Sequence, residues 1–188
     1  MSAESLWRSA VAVLEAWTSG DAGDEALRHT MLAFLAASPE ACLRANVAGH
    51  ITASALVLNE SRDQVLLTLH PRVGRWIQLG GHCEPGDDTV VAAALREATE
   101  ESGIERMRID PELLGAHTHP ITCSLGVPTR HLDLRFLVLA ADGAEPVRSH
   151  ESDDLRWFPV DALPDNTEPD LIGALIRTAR ARTHCVGM

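Results

Sequence analysis

The chain of 188 residues contains no lysine and no tyrosine, so its 16 basic residues are all arginines. A chain without lysine can form no Schiff base on a lysine amine and lacks the lysine that contacts phosphate in a P-loop. These two classes of enzyme are therefore excluded. Hydrophobic residues make up 45% of the chain and charged residues 23%, which is typical of a folded globular protein.

Positive charge is scarce as well, because 27 acidic residues oppose 16 arginines and give a formal net charge of −11. Surfaces that bind DNA or RNA carry clustered basic residues, and no arginine-rich cluster occurs in this sequence. The composition therefore argues against a polynucleotide partner. A small anionic substrate is still compatible with it, because a bound divalent cation reverses the local field.

Long apolar runs and paired cysteines are also absent. No stretch approaches the ~18 residues needed to cross a bilayer, and the N-terminus lacks the basic start and apolar segment of a signal peptide. Scattered cysteines without a Cys-x-x-Cys pair predict reduced thiols, and hence a cytoplasmic protein that does not associate with membranes. The cysteines are Cys42, Cys83, Cys123 and Cys185.

Apolar residues recur at helical spacing over residues 3–37, on both sides of a turn at 19–23. This pattern predicts a helical hairpin, and Ser38-Pro39-Glu40 predicts the start of a short third helix. We expect residues 1–48 to form an N-terminal extension packed on the core. The hairpin would then either cover one face of the following domain or mediate a homodimer.

From His50 onward the apolar period changes to two, which is typical of a β-strand. Strands and helices follow one another to the end of the chain, and this order predicts an α/β fold layered around one sheet. The predicted strands are 50–58, 65–69, 75–79, 113–119, 131–140 and 155–159, and the predicted helices are 89–102 and 168–182.

The predicted helix at 89–102 concentrates carboxylates on one face. At about 100° per residue, Glu97, Glu100 and Glu101 fall within about 100° of arc. Such glutamates repel one another unless a positive charge lies among them, and Mg²⁺ or Mn²⁺ accepts oxygen ligands of this kind. The alternative is a solvated acidic face without an ion.

Residues 81–104 resemble the Nudix box, which combines a glycine, an acidic residue and an Arg-Glu…Glu-Glu…Gly pattern at fixed spacing. The second half matches in full, with the sequence REATEESGI at residues 96–104. In the first half Asp87 stands in place of a glutamate, and one extra residue precedes Arg96. Measured back from Arg96, Asp88 takes the acidic position, so both aspartates are candidates for it.

The resemblance extends beyond the box over roughly residues 49–164 and includes a first strand similar to that of a bacterial Nudix subgroup. It implies an α/β/α sandwich with a mixed β-sheet, and a Nudix domain that spans residues 49–188. The segments outside the box that carry it are GHITASA at 49–55, RWIQLGGH at 75–82, HLDLRF at 131–136 and WFPVDALP at 157–164.

Nudix proteins are mostly hydrolases that depend on Mg²⁺ or Mn²⁺ and cut a pyrophosphate linked to another group, often in a nucleoside diphosphate derivative. The resemblance implies this activity on a small nucleotide-like substrate. The alternative is a Nudix-like domain that senses a nucleotide such as ADP-ribose without cutting it. Degenerate members often lose box glutamates, whereas this chain keeps Glu97, Glu100 and Glu101.

The resemblance also implies roles for individual residues. Arg96 would orient a carboxylate through a salt bridge, and the general base would be Glu101 or Glu97. An acid from a later loop is a third possibility, for which Glu151 is the candidate. The implied metal ligands are Glu97, Glu100, Glu101 and the carbonyl oxygen of Gly81.

Histidines are the second unusual feature of the sequence. His117 and His119 share one face of a predicted strand, and His131, Asp133 and Arg135 share one face of the next. If these strands pair antiparallel, their polar faces meet and could bind a transition metal or contact substrate. The alternative is a polar, water-facing side of a half-buried sheet.

Four residues are predicted to contact the substrate. His82 directly follows the glycine pair and could approach a phosphate, and an arginine suits contact with an anion. The predicted contacts are Arg135, His82, His131 and Trp76.

Overall fold

The computed structural model describes residues 3–122, 126–150, 152–167 and 169–182. The strands and the two later helices lie where the sequence predicts them, and the predicted strand at 75–79 is divided in two. The elements in chain order are α1 (Ala3–Ala16), α2 (Ala22–Ala37), β1 (His50–Asn59), β2 (Gln64–His70), β3 (Arg75–Ile77), β4 (Leu79–His82), α3 (Val90–Ser102), β5 (Arg108–Thr122), β6 (Pro128–Ala140), β7 (Asp154–Pro159) and α4 (Pro169–Ala181).

The seven strands form one mixed sheet in which β1 is central. β6 runs parallel to β1 from the pair His50–His131 to the pair Asn59–Ala140. On its other side β1 pairs antiparallel with β4 over its first half and with β2 near its end. β5 pairs antiparallel with β6, and β3 and β7 pair antiparallel with β2. The first half of β1 therefore lies between β6 and the glycine-containing strand β4.

Alternate residues of β1 and β6 pack against helices on opposite faces of the sheet. Ile51 and Leu134 belong to a buried cluster with residues of α1, α2 and α3. Leu56 and Leu137 belong to a second cluster, which includes Ile172 of α4. Helices on both faces of a mixed sheet make an α/β/α sandwich, which confirms the predicted fold class.

The two N-terminal helices form the predicted hairpin and cover one face of the sheet. Leu6, Leu14 and Met31 are fully buried in the same cluster as the sheet residues. Each fully buried leucine contributes about 2 kcal/mol relative to an exposed one, so the hairpin belongs to the core. The amide of Val90 at the start of α3 donates to Ser9 Oγ at 2.9 Å. A homodimer mediated by the hairpin stays a prediction.

The third helix predicted from Ser38 is wrong. The segment before β1 consists of tight turns, in which the amide of Ala41 donates to the Ser38 carbonyl at 3.1 Å. The Ala41 carbonyl in turn accepts from the amide of Ile51 at 2.8 Å. A helix of one or two turns gains few hydrogen bonds for its cost of nucleation, so this bond to β1 determines the local structure.

Two of the four cysteines lie in the described residues, and both Cys42 and Cys83 are buried free thiols. Burial raises the pKa of the Cys42 thiol to about 12 and also raises the pKa of Cys83, which keeps both protonated. Cys123 and Cys185 lie outside the described residues. Over the same described ranges, no helix has the length and apolar character needed to cross a bilayer.

Candidate active site

A cavity of about 320 Å³ lies between the polar half of the sheet and α3. Small-ligand sites occupy about 300–1,000 Å³, so the cavity can hold part or all of a nucleotide-sized molecule. Its wall combines carboxylates of α3 with imidazoles of the sheet and the glycine pair of β4. The charged and imidazole residues that line it are Arg44, His70, Arg72, His82, Glu84, Arg96, Glu97, Glu100, Glu101, His119, His131 and Asp133.

Two consecutive glycines allow β4 to pass closely between β1 and α3. Gly80 has a φ of 143°, and a Cβ there would lie 2.5 Å from the Cα of Ser54. A Cβ on Gly81 would lie 2.7 Å from Oε2 of Glu97. Any side chain at these positions would displace the neighbouring strand or the carboxylate. The backbone of Gly81 and the Glu97 carboxylate therefore lie close together.

The ends of α3 fix which way its carboxylates point. Thr89 Oγ1 accepts a backbone hydrogen bond at the N-terminus, and Gly103, with a φ of 66°, ends the helix. The side chain of Glu97 is 12% exposed and that of Glu100 is 60% exposed. Oε2 of Glu101 is buried. The carboxylate face predicted from the sequence thus runs from solvent into the cavity.

Arg96 joins these carboxylates to the glycine turn. Its Nε and Nη2 atoms donate to the two carboxylate oxygens of Asp87, each at 2.9 Å, and Nη2 also donates to the His82 carbonyl at 3.0 Å. Nη1 donates to Glu97 at 3.1 Å and to Glu100 at 2.9 Å. The salt bridge predicted for Arg96 is therefore a network with Arg96 at its centre.

The structure separates the two aspartates that the sequence left as alternatives. Asp87 is 7% exposed, whereas Asp88 is exposed. Burial raises the pKa of Asp87, but hydrogen bonds from Arg96 and the Glu84 amide outweigh it, so the pKa lies below its ordinary value. The hydrogen bond to Asp87 is also the main cause that raises the pKa of Arg96. Both groups are charged at neutral pH and hold each other in place.

The carboxylates of α3 fit a hard divalent cation. They offer oxygen donors, and a Glu97 oxygen lies in the space that a Cβ on Gly81 would fill. In the described part of the chain the three glutamates do not form a group in which one oxygen of each lies within 4.8 Å of the other two, and Arg96 Nη1 bridges Glu97 and Glu100. The glutamates as metal ligands stay a prediction.

A buried ion pair lies at the far wall of the cavity. Arg135 Nε donates to Asp133 Oδ2 at 2.8 Å, and each side chain is only 3% exposed. Asp133 Oδ1 also accepts from Thr52 at 3.1 Å and from Ser54 at 2.6 Å. Asp133 lines the cavity and Arg135 does not. The structure therefore places Arg135 as the counterion of Asp133, away from the substrate contact predicted for it.

Strands β5 and β6 pair antiparallel and bring their histidines together. His119 is the register partner of His131, and His117 is the partner of Asp133. The ring centroids of His117 and His119 are 5.6 Å apart, and those of His119 and His131 are 5.1 Å apart. His82 lies against the same ring, with its centroid 5.0 Å from that of His131. Two of the four predicted substrate contacts, His82 and His131, line the cavity.

His50, His82 and His131 are uncharged at neutral pH. Burial, followed by the charges of neighbouring imidazoles, lowers the pKa of His82 to about 3 and that of His131 to about 4. Burial also lowers the pKa of His50. In this neutral form each ring carries one donor and one acceptor nitrogen.

The remaining predicted site residues are Trp76 and Glu151. Trp76 is buried and packs edge-on against Phe158, with ring centroids 4.8 Å apart, while its neighbour Ile77 lines the cavity. Successive strand residues face opposite sides, which accounts for this difference. Glu151, the predicted loop acid, lies outside the described residues, and the following residue Ser152 lines the cavity.

Arg44 and Arg72 line the cavity but were not predicted from the sequence. Arg44 lies in the turns before β1 and Arg72 in the turn between β2 and β3. Arginine side chains suit contact with anions because their planar donor groups match phosphate oxygens. Arg72 lies three residues before β3, in the turn that leads towards the glycine pair, which is a weak signal. Nothing in the local sequence distinguishes Arg44, because distant strands supply the rest of the wall.

Comparison with protein families and curated sequences gives a consistent result. The family model described as a NUDIX domain matches residues 49–177, well over half of the chain. A protein named "NAD-capped RNA hydrolase NudC" from Stutzerimonas stutzeri (strain A1501) is 32% identical over 117 residues, covering 61% of this chain and 38% of that protein. The "Uncharacterized Nudix hydrolase YvcI" of Bacillus subtilis (strain 168) is 31% identical over 104 residues, covering 55% and 63%. The chain thus spans less than two thirds of these relatives.

Solved structures with the same fold agree with this match. A NUDIX-family hydrolase from Clostridium perfringens has a TM-score of 0.55 and 24% identity, covering 70% of this chain and 97% of that chain. A MutT protein from Methanosarcina mazei Go1 has a TM-score of 0.56 and 18% identity, covering 74% and 99%. At these identities the similarity shows the fold.

Proposed function

The chain belongs to the Nudix hydrolase family, and from this premise we propose that it hydrolyses a pyrophosphate bond in a nucleoside diphosphate linked to another group. Nudix hydrolases generally use divalent metal ions, and the oxygen donors of α3 favour Mg²⁺ or Mn²⁺. The proposed ligands are Glu97, Glu100, Glu101 and the carbonyl oxygen of Gly81.

The observation that carries this proposal is the carboxylate face of α3 beside the glycine pair. Glu97 is mostly buried against Gly81, and one oxygen of Glu101 is buried at the cavity. Burial of several carboxylates without a cation is costly. The arrangement therefore favours a cation bound at this face.

The bound cation would neutralise the bridging phosphates, stabilise charge on the leaving phosphate and activate a water molecule. Arg96 orients Glu97 and Glu100 through its hydrogen bonds. Glu101 would accept the proton of the attacking water as the general base, because its side chain lines the cavity. Cleavage of a pyrophosphate depends mainly on how the protein positions the substrate and the attacking water, and no covalent bond between substrate and protein is needed.

Substrate binding is proposed to involve the cations and imidazoles at the rim of the cavity. Arg44 and Arg72 contact the outer phosphate oxygens, since they are the two lining arginines that make no salt bridge among those recorded in the described residues. His82 and His131 line the same space and offer neutral donors and acceptors to the substrate. The positive rim and the metal site together allow an acidic protein to hold an anionic substrate.

The proposed activity is tested by turnover across a panel of nucleotides. The panel contains nucleoside triphosphates, ADP-ribose, dinucleoside polyphosphates, NAD and nucleotide sugars, each assayed with Mg²⁺, with Mn²⁺ and with chelator. We expect cleavage of one class, dependent on the cation, with products that identify the bond cut. Tight binding of ADP-ribose without hydrolysis at any metal concentration would contradict the proposal and favour a sensing domain.

The Arg96 network predicts different effects for two neighbouring aspartates. Asp87→Asn removes the buried partner of Arg96 and should lower turnover by about 10–100-fold, as is usual when a group that orients metal ligands is lost. Asp88→Asn, the matched control, should leave turnover within about twofold, because exposed substitutions away from such networks have small effects. The measurement is the metal dependence of kcat/KM for both variants. Equal losses in the two would show that Asp87 has no special role.

A further inference from the structure

Three imidazoles from three different strands meet beside the cavity. His50 at the start of β1 is the register partner of His131 on β6, and β4 brings His82 opposite Thr52 on the other side of β1. The ring centroids of His50, His82 and His131 are each 5.0 Å from one another. The central strands of the sheet therefore hold this cluster, and no loop is needed to form it.

The spacing of these rings suits a metal ion. One ring nitrogen of each histidine lies within 4.8 Å of the other two. Nitrogen ligands of zinc stand about 2.0–2.1 Å from the ion, so small rotations of the rings bring all three nitrogens to bonding distance. Among the residues that the structure describes, this is the one group of three or more histidines, cysteines or carboxylates with such spacing.

The hydrogen bonds of His50 orient it as a metal ligand. Its Nδ1 lies 3.3 Å from the carbonyl oxygen of Asn46 and donates to it, which leaves Nε2 with the lone pair. Nε2 of His50 is buried and has no hydrogen-bond partner. Histidines that bind metals usually donate their second ring nitrogen to a carbonyl or carboxylate in this way.

His131 has the same unexplained feature, because its Nε2 is also buried without a hydrogen-bond partner. A buried polar atom without a partner costs about 1–3 kcal/mol, and two such atoms face one cluster here. If these histidines were purely structural, we would expect their nitrogens to be paired with protein groups. A bound cation would satisfy both atoms at once.

We propose that His50, His82 and His131 form a site for a zinc-class transition-metal ion, separate from the carboxylate site on α3. Three nitrogen ligands with one open position are typical of zinc sites that act on a ligand. His82 and His131 line the cavity, so the open position faces it. A water molecule or an oxygen of an anionic ligand takes that position.

The two sites select different ions by their donor atoms. Imidazole nitrogens favour zinc and its neighbours, whereas carboxylate oxygens favour Mg²⁺ and Mn²⁺. His82 directly follows Gly81, and its carbonyl accepts from Arg96, so the two sites share one turn. The histidine site would thus place a second cation beside the cavity. In a chain without lysine, this cation would add positive charge there. This inference rests on the imidazole geometry and not on the proposed hydrolysis.

The test measures metal binding directly. The full chain is stripped with chelator and titrated with Zn²⁺ and with Co²⁺ in the presence of excess Mg²⁺, with metal content and the visible Co²⁺ spectrum as readouts. We expect about one Zn²⁺ per chain, with a Co²⁺ spectrum typical of a low-coordinate nitrogen site. His82→Asn and His131→Asn should weaken binding by at least about 100-fold, whereas the exposed control His29→Asn should bind like the unchanged chain.

Two further measurements separate the outcomes. Glu101→Gln should retain full Zn²⁺ binding. If this variant lost Zn²⁺ binding as the histidine variants do, the ion would be bound by the carboxylates and the proposal would be overturned. X-ray absorption at the zinc edge of the unchanged chain needs no variant, and it should show imidazole nitrogens at about 2.0 Å. A shell of oxygens only, or no retained Zn²⁺ under excess Mg²⁺, would also overturn it. Each result is independent of whether the chain hydrolyses any nucleotide.

Discussion

Replacement of Glu101 by glutamine should lower metal-dependent hydrolysis by about 10³-fold, as expected for loss of a general base that also serves the cation. The amide keeps the size of the side chain but can neither accept a proton nor supply a negative charge to the ion. One oxygen of Glu101 is already buried at the cavity, so the substitution should leave the packing around it nearly unchanged. The measurement is kcat on the best substrate of the nucleotide panel, with the melting temperature of both proteins.

The control for this substitution is Glu105→Gln, which changes the same type of side chain four residues later. Glu105 is exposed and does not line the cavity, so its variant should keep full activity. A metal titration of Glu101→Gln distinguishes weaker binding of the cation from a slower chemical step. Unchanged kcat in a folded Glu101→Gln protein would refute the role assigned to this residue.

Replacement of Arg135 by methionine should lower the free energy of unfolding by about 3–5 kcal/mol at neutral pH, the cost of breaking a buried ion pair on one side. Asp133 is 2% exposed and would lose its counterion. Hydrogen bonds from Thr52, Ser54 and Gln78 would remain, but they supply no opposite charge. Unfolding in guanidinium chloride, followed by fluorescence or circular dichroism, gives the difference in free energy of unfolding between the variant and the unchanged chain.

The effect of Arg135→Met should depend on pH in a defined direction. Burial raises the pKa of Asp133, but Arg135 and the hydrogen bonds lower it below the ordinary value. In the unchanged chain this carboxylate therefore contributes stability above the ordinary pKa of 3.8 and loses it as the pH falls through the lowered value. Without Arg135, burial dominates and the pKa of Asp133 rises. The destabilisation of the variant relative to the unchanged chain should therefore be largest at neutral pH. The difference between the two proteins should narrow as the pH falls towards 4.

Two variants control for loss of packing. Arg108→Met breaks the exposed pair with Glu60 and should cost less than about 1 kcal/mol. The double variant Arg135→Met with Asp133→Leu removes both buried charges and should recover much of the lost stability. A loss in Arg135→Met that does not change between pH 7 and pH 5 would point to packing and against the charge of Asp133.

The helix that bears the glutamates could be predicted closely because its signals are local. Thr89 begins it, Gly103 ends it, and the spacing of the glutamates fixes the face they share. The alternation of polar and apolar residues in β1 and β6 likewise predicted which side chains face each way. Each of these features depends on residues that are close together in the sequence.

Other features depended on which distant elements cover each surface. The alternation along β6 placed Arg135 on the polar face, but its strand position could not reveal that Asp133 would bind it within the sheet. The sequence grouped His131 with His117 and His119, whereas the trio with metal-like spacing includes His50 and His82. That trio depends on the register of β1 with β4 and β6, which the local sequence does not encode.

The sequence also could not decide between Asp87 and Asp88, although these two residues are adjacent. One extra residue in the turn made the two aspartates equivalent when counted along the chain. The turn decides between them, because it directs Asp87 inward to Arg96 and the Glu84 amide and leaves Asp88 exposed. Counting residues could not predict which side chain points inward.

The parallel pairing of β1 with β6 has a consequence for how the protein reaches its native state. Partners in this pair are 81 residues apart, and closing a loop of that length costs about 4 kcal/mol of chain entropy by the logarithmic law. Contacts this far apart slow folding. A ribosome must therefore release β6 before β1 finds its parallel neighbour, so the cavity wall gains His131 and Asp133 only after β4 and α3 have been made.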